Sequence, residues 1–377
     1  MGPGCPARGP ANPAGATRPL IRHRRLARRP ASMPDRYELL DRALQRDLIP
    51  DPVLRLGSRY GAWDRVRRER RGGIEAQDQR LRELVAHKST GPIAEATQEA
   101  NEQHYELPAD FIGLILGPRR KYSGCLWADG VQTLAQAEEA MLRLTCERAQ
   151  VRDGMTILDL GCGWGSLSLW LAEQYPNATI LGVSNSHGQR EYIEGIAREK
   201  GFTNLEIQTC DVNVFATDRR FDRVMSIEMF EHMRNWKELL RRVSTWLEPE
   251  GKLFIHVFSQ RQVPYLFEGT WAAERFFTAG LMPSHELLLH FQDDLVVRDR
   301  WVVDGRHYAK TLVAWLANLD GRRDEALRIL ETVFPPDRAR VVLGGWRLFL
   351  ISTDEIWKWR HGNEWLVSHY LLEPRTA

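Results

Sequence analysis

The sequence predicts an α/β fold built on a doubly wound, Rossmann-like sheet, and three observations support this. Short β-rich apolar runs alternate with helix-patterned stretches through the middle of the chain, the sign of parallel strands joined by crossover helices. One run, at 156–160, passes straight into Gly161-Cys162-Gly163-Trp164-Gly165 and then a helical pattern. The next three runs end on polar residues, at the rim where open α/β sheets bind ligands.

The elements follow in order. Residues 1–32 hold seven arginines and no acid; this Pro/Gly-rich basic leader reads as disordered, with translation expected to begin at Met33. Residues 33–120 form an N-terminal helical segment. Leu39, Leu40 and Leu44 sit on one face of a helical stretch reaching about Lys88, and a second helix passes Asn101 and Tyr105 to end near Pro108. Residues 121–377 form the catalytic domain. It opens with a loop at 121–129 and carries strands at 156–160, 179–183, 205–209, 223–227 and 252–258, with helices at 167–174, 187–200 and 236–247. Residues 260–292, rich in Phe, Trp, Leu and Met, read as a helical cap inserted over the sheet. A strand at 295–303, three helical stretches and a last strand at 365–372 complete the chain.

Composition narrows the function classes. With 43% hydrophobic and 27% charged residues, the chain matches average soluble globular proteins. No apolar run approaches bilayer length. The five cysteines lack CxxC spacing, so no zinc site is suggested and none of the chemistry calls for a metal. The net charge is +2, and setting aside the seven leader arginines leaves the body at −5. That acidic body argues against a nucleic-acid partner. The protein is expected to be cytoplasmic, with no stable membrane insertion and a homodimer left open.

The glycine turn is the strongest single motif. Gly161, Gly163 and Gly165 permit a tight strand-to-helix turn and close approach of a ligand. The spacing is G-x-G-x-G rather than the dinucleotide G-x-G-x-x-G, and Asp159 just before it can meet a cationic amino-acid group. Together these favour S-adenosylmethionine over NAD. Asn185 and Gln189, after the second strand, are placed to read a ribose. Asp211 and Val212, after the third, suit an adenine amino group and ring.

Beyond the fourth strand, Glu228, Glu231 and His232 put three ionisable groups within five residues at the ligand rim. A free alkylamine is largely protonated at neutral pH. A carboxylate can bind that cation and an imidazole can take its proton, so the trio suits methyl transfer to an amine nitrogen. His256, Phe276, Phe277, His307 and Tyr308 are the residues expected to converge on them as a substrate pocket, where aromatic rings suit a cationic amine.

The stretches KYSGCLW, LDLGCGWGSLSLWLAEQYPNATILGVSNSHGQREYI, SIEMFEHMRNW, FFTAGLMPS, GRHYAKTL and EWLVSHYL resemble the coclaurine N-methyltransferase branch of the cyclopropane fatty acid synthase superfamily. The resemblance runs from about Asp35 to the C-terminus. It implies a class I methyltransferase sheet, S-adenosyl-L-methionine as cofactor, Tyr122 and Ser123 as cofactor contacts, and a small-molecule amine as partner. The Glu-x-x-Glu-His pattern of plant alkaloid N-methyltransferases implies catalytic roles for Glu228, Glu231 and His232. The rival within the superfamily is a cyclopropane-fatty-acyl-phospholipid synthase acting on unsaturated acyl chains. Its bicarbonate cradle resembles Glu231, His256 and Tyr308, but its cysteine is replaced by Gly124, with Cys125 one place later.

Overall fold

A computed structural model describes residues 37–95, 107–277 and 280–375. The expected leader and the helix through Asn101 and Tyr105 lie outside those residues.

The chain first lays down three helices, α1 (Glu38–Gln45), α2 (Asp51–Glu69) and α3 (Gly73–His87). Two more helices follow, α4 (Ala109–Ile115) and α5 (Leu134–Arg148), the latter opened by a reciprocal cap in which Thr133 and Gln136 satisfy each other's backbone N–H groups. Then comes the alternation read from the sequence. Strands β1 (Thr156–Leu160), β2 (Thr179–Ser184), β3 (Leu205–Thr209), β4 (Phe221–Ile227) and β5 (Leu247–Gln260) are parallel neighbours in the order β3-β2-β1-β4-β5. Helices α6 (Ser166–Gln174), α7 (His187–Lys200) and α8 (Trp236–Trp246) connect them. Strands β1, β2, β4 and the second half of β5 are buried almost throughout, as expected of a parallel sheet covered on both faces, while the edge strand β3 is only partly buried.

The cap departs from the helical expectation. It holds a two-stranded ribbon, β6 (Tyr265–Leu266) with β7 (Leu281–Met282), one short helix α9 (Trp271–Phe276) and a 3-10 turn at Leu287–His290. Its aromatic runs are too short to carry helical periodicity, and α9 is fixed from outside: Trp271 Nε1 and Arg275 both reach the Asp41 carboxylate of α1, at 3.0 and 2.7 Å.

Strands β8 (Leu295–Val303) and β9 (Trp365–Pro374) finish the sheet in antiparallel sense, β9 lying between β5 and β8. Between them run α10 (Gly305–Gly321), α11 (Arg323–Glu331) and the long α12 (Pro336–Trp357). Helices α1 and α2 pack on this C-terminal layer and share its apolar core through Leu44, Leu54 and Ala62. Arg55 and Arg59 of α2 reach the buried Asp354 and Glu355 carboxylates of α12 at 2.5 to 2.8 Å. An arginine-rich helix is thereby held over the sheet's ligand rim. Among the described residues, no helix is long and apolar enough to cross a membrane.

Candidate active site

One cavity of about 790 Å³ runs from the carboxyl ends of the parallel strands to the cap and α2. That is in the upper part of the ~300–1,000 Å³ range of small-molecule sites. At the strand end, β1 feeds Asp159 and the glycine turn into its wall. Gly163 has φ +52°, and a Cβ there would point into open space. Gly161 has φ +85°, and a Cβ would lie 2.8 Å from Met229 Sδ. Asp159 is fully buried and accepts the Ser168 hydroxyl at 2.6 Å. Burial pushes its carboxyl up to about 6, so a cationic amino group beside it would favour the ionised form. Asn185, Gln189 and Val212 line the adjoining wall, the Gln189 carbonyl oriented by the Ser184 hydroxyl at 2.7 Å. Tyr122 and Ser123 enter from the loop before α5, where the buried Lys121 ammonium donates to Ser123 Oγ and, at 3.0 Å, to the Gly124 carbonyl.

The other end of the cavity holds the three ionisable groups. Glu228 follows β4 directly with φ +48°, a strained angle for a non-glycine residue. Its Oε1 accepts the Gly124 backbone N–H at 3.1 Å and faces His256 Nε2 at 3.3 Å; its Oε2 accepts the Tyr308 hydroxyl at 2.8 Å. Burial raises its carboxyl pKa, and the Lys121 ammonium with the Gly124 and Tyr308 donors offsets only part of that rise. Glu231 lies in the 3-10 turn Phe230–His232, fully buried, and neither of its side-chain oxygens has a partner among the described residues. Burial and the nearby Glu228 charge push its carboxyl well above the ordinary range. A buried carboxylate without donors is costly, so this group keeps its proton or meets a cation.

His232, on the same turn, is stacked on Phe277, with ring centroids 6.5 Å apart and planes 14° from parallel. Segment 88–95 clamps the turn: Lys88 Nζ donates to the Met233 carbonyl at 2.8 Å, and the Arg234 N–H to the Ile93 carbonyl at 2.6 Å. Past His232 the cavity wall is mainly apolar, with Phe267, Trp271 and Phe349.

The family model described as mycolic acid cyclopropane synthetase matches residues 94–355 of this chain. The chain belongs to that family. Within it, the (S)-coclaurine N-methyltransferase of Thalictrum flavum subsp. glaucum is 34% identical over 90% of this chain and 96% of its own length. The cyclopropane-fatty-acyl-phospholipid synthase of Escherichia coli (strain K12) is 31% identical over 57% of this chain and 54% of its own. A crystal structure of coclaurine N-methyltransferase bound to N-methylheliamine and S-adenosylhomocysteine superposes with a TM-score of 0.85. It is 33% identical and covers 89% of this chain and 99% of that one. The cyclopropane synthase MmaA2 from Mycobacterium tuberculosis, 22% identical with a TM-score of 0.63 over 74% of this chain and 98% of its own, shares the fold. This member of the family is an S-adenosylmethionine-dependent methyltransferase, and the open space at Gly163, the Asp159 carboxyl and the Asn185–Gln189 wall fit that cofactor.

Of the residues expected from sequence, Tyr122, Ser123, Asp159, Gly161, Gly163, Asn185, Gln189, Val212, Glu228, Glu231, His232, Phe277 and Tyr308 all line this methyltransferase's cavity. Five others lie outside its wall. Gly165 stands behind the turn, where a Cβ would lie 2.5 Å from Ile193 Cγ1. Asp211 accepts the Asn213 N–H at 2.8 Å within its own turn, while Cys210 and Val212 on either side reach the cavity. His256 lies inside the sheet behind Glu228, fully buried. Phe276 turns into the core and stacks on Phe349 at 4.4 Å. His307 accepts the Trp127 N–H at 3.0 Å and so fixes the loop that carries Tyr122, rather than facing the acceptor. Sequence reasoning missed Lys121, which lines the cavity, and the α2 face of Gly57, Ser58 and Gly61, which closes its far end. Lys121 could have been found from its place inside KYSG; the α2 face carried no signal among its arginines.

Proposed function

We propose that this methyltransferase acts on the amine nitrogen of a small alkaloid-like molecule, secondary or tertiary, and that Glu231 and His232 bind and deprotonate that amine. The observation that carries this reading is the pair of orphaned, fully buried oxygens of Glu231 in the cavity wall beside His232. An ammonium entering there would supply the missing charge partner and draw the carboxyl into its ionised form. His232, held parallel to Phe277, is placed to take the proton and leave the nitrogen lone pair. S-adenosylmethionine supplies an electrophilic methyl carbon on a sulfonium. The protein then has to hold the nitrogen in line with that carbon and keep water away, which the apolar wall of Phe267, Phe277 and Phe349 favours. The likeness to coclaurine N-methyltransferases over nine-tenths of the chain supports the same acceptor class.

The lipid-synthase alternative is disfavoured by the same geometry. His256 and Tyr308, which the resemblance offers to a bicarbonate, both face Glu228. A side chain at position 124 would meet the Tyr308 ring, since a Cβ there would lie 3.1 Å from Cδ1. Cys125 is fully buried with its thiol pushed up to about 12. The test is an assay with radiolabelled methyl donor against benzylisoquinoline amines, phenethylamines and unsaturated phospholipid vesicles. Label in one or more amines and none in lipid is expected; label in lipid alone would replace this reading.

A further inference from the structure

We infer that Arg148 and His369 are positioning residues for this reaction: with His256 they form a hydrogen-bond chain of fixed direction that presents an N–H to Glu228 and cannot take up a proton. Only the kinetic consequence rests on the amine-methylating reading; the chain itself stands on geometry.

Arg148 closes α5, and its Nη1 lies 2.9 Å from His369 Nδ1. His369 of β9 sits directly opposite His256 of β5 in the antiparallel register. Its Nε2 is 2.9 Å from His256 Nδ1, with ring centroids 4.6 Å apart, and His256 Nε2 is 3.3 Å from Glu228 Oε1. Both imidazoles are 0% exposed, so no water completes either ring's hydrogen bonding from outside.

The direction follows from what each group can do. A guanidinium has donors only and keeps its proton. His369 Nδ1 must therefore accept, which places that ring's one N–H on Nε2. His256 Nδ1 must then accept from it, leaving the His256 N–H on Nε2, aimed at Glu228. Without Arg148 the reversed chain becomes available whenever Glu228 is protonated, its O–H then donating to a bare His256 Nε2. A second proton on either ring would set donor against donor, at Arg148 for His369 and at His369 for His256. The charged groups facing the two rings agree: Lys121 and Arg148 are cations, Glu228 at the chain's end is the anion, and burial and the cations lower both imidazoles well below the ordinary histidine value.

The chain is thus a lock rather than a relay. It presents a donor to Glu228 in its strained conformation, which favours the ionised form, and it leaves the proton released by an acceptor no path through the sheet. That proton has to leave on the cavity side, through His232.

The decisive measurement is a long-range 1H–15N correlation spectrum of the full chain labelled at histidine nitrogen, with His256→Gln and His369→Gln used for assignment. Both rings should be neutral Nε2–H tautomers and stay so down to about pH 5.5, a unit below the ordinary histidine value. An Nδ1–H tautomer on either ring, or titration near the ordinary value, overturns the inference. In kinetics, Arg148→Met should lower kcat about ten- to a hundredfold, the range for residues that orient a reactive imidazole in metal sites. The KM for S-adenosylmethionine should hold, and the acidic limb of the rate profile should move to higher pH as Glu228 loses its donor; Arg148→Lys should restore both. Wild-type kinetics and pH profile in Arg148→Met would overturn the positioning role. Should that variant fail to fold, the wild-type spectrum still decides. A failure to methylate any amine would sink the proposed function without touching the spectrum.

Discussion

Glu228 leaves β4 into a ring of donors, whereas Glu231, one short turn later, ends in a wall that offers it none. Glu231 is fully buried and Glu228 nearly so on the same cavity, and the chemistry around them has opposite completeness. Glu228 is satisfied by Gly124, Tyr308 and the His256 chain, so the protein alone accounts for its geometry. Glu231 has no such partners among the described residues, and under the proposed function an arriving cation supplies the missing one. The difference teaches where to look for ligand chemistry in a buried acidic pair: at the acid the fold leaves without partners, since buried polar groups are otherwise bonded.

The largest expected effect comes from the turn itself. His232→Ala should cut turnover about 10²- to 10⁴-fold, the usual contribution of a positioned acid–base group, with cofactor affinity by calorimetry near wild type. Next, Glu231→Gln removes one partner of a buried charge pair. It should cost roughly 2–5 kcal/mol of transition-state stabilisation, at least about thirtyfold in kcat/KM. The comparison sharpens in melting experiments on ligand-free protein. Glu231→Met should raise Tm by relieving an unsatisfied carboxyl, whereas Glu228→Gln should lower it by turning an amide N–H on groups that already donate. Equal shifts of the same sign would erase the distinction drawn here.

Tyr308→Phe is smaller. It removes one donor to a charged group, about 1.5–3 kcal/mol, and should raise the pH at which Glu228 ionises while leaving Glu231 and His232 in place. A rate profile unchanged in that variant would separate Glu228 from catalysis. The smallest effect is on stability with pH. His256 and His369 titrate well below 6.5 when folded, and an exposed unfolded chain takes up those protons first. Stability should therefore be full above about pH 6.5 and fall as pH drops through it, with a shallower fall in His369→Gln. A slope identical to wild type would contradict neutral burial of that ring.

Much of this architecture is legible in the chain. The strands at 156–160, 205–209 and 295–303 stand where the apolar runs put them, because turn residues bracket each one. Strand β5 begins five residues earlier than expected, at Leu247, since Pro249 and Gly251 read as a turn while the register with β4 shifts to accommodate them. The glycine turn and the Glu-x-x-Glu-His rim were readable for the same reason: their spacing along the chain is short. What stayed hidden is long-range. Nothing local says that His369 faces His256 across 113 residues, that α2 closes the cavity, or that two acids three positions apart differ in their donors. His256 was visible as a polar residue in an apolar strand, but only the register shows that it backs Glu228 instead of facing a ligand.

The claim at the centre of this account, that Glu231 awaits the acceptor's ammonium, is tested most directly by calorimetry. A benzylisoquinoline amine that the enzyme methylates would be titrated into wild-type and Glu231→Gln protein, each preloaded with S-adenosylhomocysteine. Binding at least about thirtyfold weaker is expected in the variant, as for a buried pair that has lost one charge. Equal affinities in the two proteins would contradict it.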